Sequence, residues 1–259
     1  MDIAGSKVVV VGGGSGMGRA SAVRLATCGA SVAILDRDPE PGKAVATEVG
    51  GTFHQVDVTD FDGFEQIFAD AVDSLGGLHV AVTTAGGQRT PDGVLARRTL
   101  SKDGPHDLDA FRYLQDLNTV GTFNVSRLAA FWMSSNEPVN DERGVIINTS
   151  SIAAYEGQIG QIGYAAAKAA IAAMSLTMAR DLGSLGIRVL AIAPSLFMSP
   201  AARANLTPEW QASLLGNAAF PKRPGEPEEY AQLVEAIVTN QMLNGQCIRL
   251  DAGNRFGSK

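Results

Sequence analysis

Tyr164 and Lys168 stand four residues apart in Tyr164-Ala165-Ala166-Ala167-Lys168, a spacing that puts both side chains on one face of a helix. A free tyrosine, with a pKa near about 10, is a poor acid–base group at neutral pH. An ammonium beside it stabilises the phenolate and lowers that value. Ser151 lies thirteen residues before Tyr164, just past an apolar run, and can reach the same cleft to hold a developing carbonyl oxygen. A Tyr–Lys pair at this spacing also arises by chance, so it carries weight only beside a second signal.

That signal is Gly12-Gly13-Gly14-Ser15-Gly16-Met17-Gly18, between a valine run and a helical pattern. There glycine lets the backbone approach a pyrophosphate, and the helix N-terminus offers unpaired N–H groups and partial positive charge. A tight turn without a ligand is the alternative. Asp36 ends the second apolar run, about 20 residues beyond the glycines, where an acid accepts hydrogen bonds from the adenosine ribose and repels a 2′-phosphate. It favours NAD over NADP, although Arg37 beside it supplies a guanidinium suited to that phosphate. Asp57-Val58 either brackets the adenine or caps a strand. A nicotinamide turn together with Ser151, Tyr164 and Lys168 makes a hydride-transfer site.

These residues are held by short Val/Ile/Leu runs alternating with longer helical patterns, the signature of βαβ units around a buried parallel sheet. Strands are expected at Val8–Val11, Val32–Leu35, Thr52–Val56, Leu78–Val82, Val145–Asn148, Ile187–Ala193 and Cys247–Leu250. Helices are expected at Gly16–Cys28, Glu40–Val49, Phe61–Leu75, Leu108–Met133, Gly163–Leu182 and Pro227–Thr239. No repeat interrupts the series, so residues 1–259 read as one α/β domain. Thr90–Asp107 is polar and reads as an exposed insertion. Pro194–Gly225, with Pro194, Pro200, Pro208, Pro221 and Pro224, reads as an irregular substrate loop at about 195–225, at the carboxyl edge where such sheets bind ligands.

Composition excludes other chemistries. Lys and Arg number 21 against 27 Asp and Glu, a net charge of −6, which argues against nucleic acid as a primary partner. Cys28 and Cys247 cannot build a disulfide framework or a cysteine-rich zinc site, and His54, His79 and His106 lack metal-ligand spacing, so no metal is expected. The apolar runs fall short of the ~20 residues that span a bilayer, and no basic-then-apolar leader stands out, so the expectation is a cytoplasmic protein without a membrane partner.

The combination resembles the short-chain dehydrogenase/reductase family over essentially the whole chain. Gly12, Gly16 and Gly18 match its cofactor turn; Ser151, Tyr164 and Lys168 match its catalytic residues; Asn118 matches the asparagine that supports its proton relay. The resemblance implies a single Rossmann-type doubly wound domain, with a seven-stranded parallel sheet in the order 3-2-1-4-5-6-7 and helices on both faces. It implies NAD as cofactor, lined by Ser15, Met17, Asp36, Asp57, Val58, Thr84, Ala85, Gly86, Tyr164, Lys168, Pro194, Phe197 and Ser199. Two departures stand out: Val11 replaces the usual Thr, and Thr83-Thr84-Ala85-Gly86 replaces the usual Asn-Asn-Ala-Gly. The Thr84 hydroxyl is expected to bridge backbone groups in compensation.

Arg143–Ser151, Tyr155–Gln161 and Leu243–Asp251 resemble a subgroup that oxidises 3-hydroxyacyl-CoA thioesters, which places Gln158 and Gln161 beside the substrate with Ser151 and Tyr164. The implied activity is oxidation of a secondary alcohol, with a 3-hydroxyacyl-CoA as the leading substrate. An NADPH-dependent 3-oxoacyl-carrier-protein reductase, a steroid or secondary-alcohol dehydrogenase, and a non-catalytic scaffold or RNA-processing subunit are the competing readings. Apolar residues on more than one face of Leu108–Met133 and Gly163–Leu182, among them Ala166, Ala170, Ala173, Met174 and Met178, point to a homotetramer with Asn254–Lys259 near a subunit boundary.

Overall fold

The computed structural model describes residues 1–199, 202 and 207–258. Strands β1 (Lys7–Val11), β2 (Ser31–Asp36), β3 (Thr52–Gln55), β4 (Val80–Thr83), β7 (Gly144–Thr149), β8 (Ile187–Pro194) and β9 (Cys247–Leu250) form one parallel sheet. Its order is β3-β2-β1-β4-β7-β8-β9. Numbered by sequence among the sheet's own strands, this is the expected 3-2-1-4-5-6-7. A separate hairpin of β5 (Leu100–Ser101) and β6 (Gly104–Pro105) lies inside the polar insertion.

Continuous valine in β1 follows from burial on both faces. Val9 and Val11 face a core with Phe64 and Phe68 of α3 (Phe61–Leu75), Val125 and Met133 of α5 (Gly121–Ser134), and Met178 of α6 (Ile162–Leu182). Val8 and Val10 face the opposite core, with Leu25 of α1 (Gly16–Thr27), Val45 of α2 (Pro39–Glu48), and Val234 and Ile237 of α8 (Pro227–Thr239). The order reverses between β1 and β4, and at such a switch point the loops diverge into a crevice. The glycine turn after β1 and the Thr84–Gly87 segment after β4 flank it.

Three expectations need correction. The pattern at Leu108–Met133 is not one continuous helix: α4 (Leu108–Gln115) meets α5 through a π-helical turn at Asp116–Val120. The wider turn carries Asn118, fully buried, whose side chain reaches backbone groups of Gly87. The Pro194–Gly225 segment contains a helix, α7 (Pro208–Leu215), with Leu214 and Leu215 buried; Pro200 lies outside the described residues. The sequence also holds a stretch long and apolar enough to cross a membrane, Ile162–Leu185. Here it belongs to the fold, since α6 packs on β8 and α4 and carries Tyr164 and Lys168 to the site.

Arg188 of β8 ties the far end of the sheet together. Its guanidinium is buried, pairs with buried Glu142 at 2.7 Å, and donates to the carbonyls of Ile237, Val238, Asn240 and Leu243. A cation thus satisfies the open carbonyls at the end of α8. Burial pushes the Glu142 carboxyl up, but bonds from Gln241, the N-terminal amine and Arg188 outweigh it and hold the pKa below its ordinary value. Arg188→Met leaves Glu142 buried without its guanidinium, and the expected loss of stability is about 3–5 kcal/mol. Urea unfolding of both proteins measures it; a loss under about 1 kcal/mol would show that the pair contributes little.

Candidate active site

A cavity of about 830 Å³ opens at the crevice between β1 and β4. Gly12, Ser15, Asp36, Asp57, Val58, Thr84, Ala85, Gly86, Ser151, Gln158, Gln161 and Tyr164 line it, as expected of them. Ser15 caps α1 in extended conformation, yet its side chain makes no capping bond, and the first turn of α1 holds no acid. A helix N-terminus with free N–H groups and an unspent hydroxyl suits a pyrophosphate. Gly12 has φ 82°, and a Cβ there would stand 2.5 Å from the Ala85 nitrogen. A Cβ on Gly18 would meet the Gly12 carbonyl oxygen at 2.1 Å, so Gly18 serves the seating of the helix against the turn.

The Asp36 carboxylate accepts from the Gly14 N–H at 2.8 Å and the Asp38 N–H at 3.0 Å. It braces the glycine turn while lining the cavity. Arg37 also lines the cavity, its exposed side chain 3.8 Å from Asp38. Asp57 holds its own turn, accepting from the backbone and hydroxyl of Thr59. The Thr84 hydroxyl donates toward the carbonyls of Val11 at 3.3 Å and Gly12 at 3.0 Å, the bridge expected in place of the usual asparagine.

The acid–base residues converge from two elements. Ser151 follows β7 and caps a short 3₁₀ turn at Ile152–Ala154, its hydroxyl accepting from the Ala153 N–H at 3.1 Å. Tyr164 and Lys168 share a face near the start of α6. Lys168 is buried, donates to the Thr149 carbonyl at 2.9 Å, and holds its Nζ 5.7 Å from the centre of the Tyr164 ring. Burial lowers its pKa to about 8. Burial also raises the Tyr164 phenol, against which a hydrogen bond with Ser151 works. In the chain alone, desolvation of the phenol is thus the larger influence on Tyr164, while the Lys168 ammonium lies over the ring, bonded to a backbone carbonyl.

Other expected residues sit elsewhere. Asn118 spends its amide on the Gly87 carbonyl at 2.8 Å and the Leu114 carbonyl at 3.0 Å, and its Oδ1 accepts from the Gly87 N–H. Its Oδ1 and the Lys168 Nζ both border Gly86, where a Cβ would meet them at 2.6 and 3.2 Å. Asn118 thus borders the site from behind Gly86 and is not among the residues lining the cavity. The Phe197 side chain is likewise absent from the lining. It is buried edge-to-face with Tyr230, over Gly225, because strand-end packing claims it. Met17 packs toward the core of α1, and Gly16, Gly18, Lys168, Pro194 and Ser199 are not lining residues, whereas Ser195 and Leu196 are.

Sequence reasoning missed several walls. Thr90, Pro91 and Leu95 of the insertion line the cavity, so this stretch is not wholly an exposed excursion. Thr90 is buried and hydrogen-bonds Asp92 and the Val94 carbonyl, and Arg97 pairs with Asp92, which orders the turn. Tyr113 of α4, Leu117 of the π-helical turn, Leu214 of α7 and Phe256 of the C-terminal tail line it as well. No spacing signal reveals residues that join the site only by tertiary return.

Comparison with known proteins agrees with this geometry. Residues 6–210 match the family model described as short chain dehydrogenase. The chain is 45% identical over 251 residues to 3-hydroxyacyl-CoA dehydrogenase type-2 of Drosophila melanogaster, covering 96% of each chain. It is 43% identical over 260 residues to the Homo sapiens protein of the same name, covering 98% of this chain and 97% of that one. A crystal structure of 3-hydroxyacyl-CoA dehydrogenase type-2 from Mycobacterium avium superposes with a TM-score of 0.91 at 40% identity, covering 100% of this chain and 98% of that one. A 7α-hydroxysteroid dehydrogenase complexed with NADH and 7-oxo glycochenodeoxycholic acid gives 0.86 at 27% identity, covering 99% and 97%. With its seven-stranded sheet, its glycine turn, Ser151 and Tyr164 lining one cavity and Lys168 buried beside the tyrosine ring, the chain belongs to the short-chain dehydrogenase family.

Proposed function

We propose that the protein is an NAD-dependent dehydrogenase that interconverts 3-hydroxyacyl-CoA and 3-oxoacyl-CoA. The observation that carries this reading is the meeting of Ser151 and Tyr164 in one cavity with Asp36 and the glycine turn. Relatives at 40–45% identity over nearly the whole chain that bear that name support the substrate class. Asp36 supports NAD, because its carboxylate lies where a 2′-phosphate would bring further negative charge. A neighbour of known structure binds NADH.

The residues present fit that cofactor. Ser15 and the first-turn N–H groups of α1 would hold the pyrophosphate, Asp36 the adenosine ribose, and Lys168 the nicotinamide ribose. When bound, NAD supplies a hydride acceptor and a positive charge near the phenol. The chain's own residues do the rest. Tyr164 takes the substrate hydroxyl proton at its phenolic oxygen during oxidation and returns it during reduction. Ser151 donates to the carbonyl oxygen and fixes it in place. Lys168 holds a cation beside the Tyr164 ring, which favours the phenolate over the phenol. Asn118 acts as a positioning residue, clamping Gly87 against α4. Such acid–base help is worth about 10²–10⁴-fold in rate.

We also propose a homotetramer. Phe123 and Phe131 of α5, and Leu176 of α6, are exposed apolar side chains on the two long helices. Met174 and Met178 belong to the core instead, so the surface available for pairing is narrower than the sequence implied. Residues Asn254–Ser258 are bonded to their own chain, and Lys259 lies outside the described residues. Light scattering at micromolar concentration should give the mass of four chains; a stable dimer or a monomer rejects this arrangement.

Purified protein with NAD should oxidise 3-hydroxyacyl-CoA thioesters in preference to steroid alcohols. Tyr164→Phe should retain NADH binding by fluorescence titration while turnover falls at least about 10²-fold. Near-normal turnover of the variant rejects the tyrosine's role, and no turnover of any thioester rejects the substrate class. Asp36→Ala should lower the NAD/NADP ratio of kcat/KM by about tenfold or more, since an acceptor and a repulsive charge vanish together. An unchanged ratio would reduce Asp36 to a brace of the glycine turn.

A further inference from the structure

We infer that the C-terminal tail is a wall of the substrate cavity, and that Phe256 sets how long an acyl chain the site accepts. This rests on the proposed acyl substrate. Beyond Asp251 the described tail is Ala252-Gly253-Asn254-Arg255-Phe256-Gly257-Ser258, in which Phe256 is the one large apolar side chain. That ring is half-buried and lines the cavity, while Arg255, Gly257 and Ser258 are exposed. An aromatic side chain in so polar a segment gains by facing apolar surface, and Leu95, Leu196 and Leu214 supply it in the same cavity.

The tail is fastened on both sides of Phe256. Before it, buried Asn254 donates to the Leu214 carbonyl at 2.8 Å, and Asn217 donates to the Arg255 carbonyl at 2.9 Å. After it, the Ile159 N–H donates to the Ser258 carbonyl at 3.0 Å, and Gln158 donates to the Gly257 carbonyl at 3.4 Å. The tail therefore bridges α7 and the segment after Ser151, two walls of one cavity. Charge reinforces the bridge. Arg249 grips Glu156 through two bonds of 2.7 and 2.9 Å and also donates to Asp251 and to the Asn254 carbonyl. Arg255 adds contacts to Asp251 and Glu156. The segment carrying Gln158 and the segment carrying Phe256 are thus held by one ionic cluster, so the ring has a fixed position against which chain length can be read.

The test uses the full chain with Phe256→Ala, Phe256→Leu and Phe256→Trp, assayed with NAD and the 3-hydroxybutyryl, 3-hydroxyoctanoyl and 3-hydroxydodecanoyl thioesters of CoA. One methylene in an apolar pocket changes specificity by roughly tenfold or more. Phe256→Ala should therefore raise the dodecanoyl/butyryl ratio of kcat/KM by about tenfold. Phe256→Trp should lower it, with KM for NAD within about twofold of the parent; Phe256→Leu should shift it in the direction of Ala and keeps the test open if the alanine variant folds poorly. A ratio that stays within about twofold in the folded variants overturns the inference. If the parent turns over no thioester, the substrate class fails separately, and the same ratio on 2-dodecanol against 2-butanol decides whether Phe256 measures length.

Discussion

A cation buried against a backbone carbonyl sets the terms for everything around the site. Lys168 is almost wholly shielded from water, and its hydrogen bond to the Thr149 carbonyl only partly offsets the lost solvation, which lowers its pKa. An ammonium in that position persists only if its surroundings cannot relax. They are fastened accordingly. The Ser150 hydroxyl donates to the Lys168 carbonyl at 2.7 Å, locking α6 onto the end of β7. The Thr149 hydroxyl donates to the Thr83 carbonyl at 2.6 Å and meets the hydroxyl of fully buried Tyr230 at 2.7 Å. The sheet, α6 and α8 thus converge on the residue that carries the charge.

The same logic governs the other half of the site. Backbone must approach backbone where β1 turns into α1, and side chains are excluded there by contact with Gly12, Ala85 and Thr84. Asp36 closes that turn from the neighbouring strand through the Gly14 N–H, so one carboxylate both shapes the turn and sets the charge of the cavity beside it. Substitution at Asp36 therefore acts on turn geometry as well as on cofactor choice. Separating the two requires reading stability and cofactor ratio together.

Much of this was legible in the sequence, for identifiable reasons. The strands were visible because a parallel sheet covered on both faces demands continuous apolar runs such as Val8–Val11. The Tyr164–Lys168 pair was visible because helical spacing is local, and the glycine turn because its context is local. What escaped depends on contacts between distant segments. Phe197 looked available to a cofactor, but Tyr230 and Gly225 claim it. Leu214 and Leu215 form a helix in a stretch whose prolines advertised irregularity. Phe256 returns across the fold to meet the segment after Ser151. The single apolar pattern at Leu108–Met133 gave no sign of a widened turn, because burial periodicity barely changes across five residues.

That widened turn has a consequence for how the gene can vary. A π-helical turn holds one residue more than the α-helical turn it replaces, and each residue in an α-helix adds about 100° of rotation. The wider turn absorbs that extra residue, so α4 and α5 keep the phase of one continuous helix on either side of it. Deleting one residue between Asp116 and Val120 would leave a regular helix with both apolar faces still in register. The cost would fall on the turn itself, through the local geometry by which Asn118 bonds the Gly87 backbone. A change in length that would throw an ordinary helix out of phase is here confined to one buried side chain beside the site.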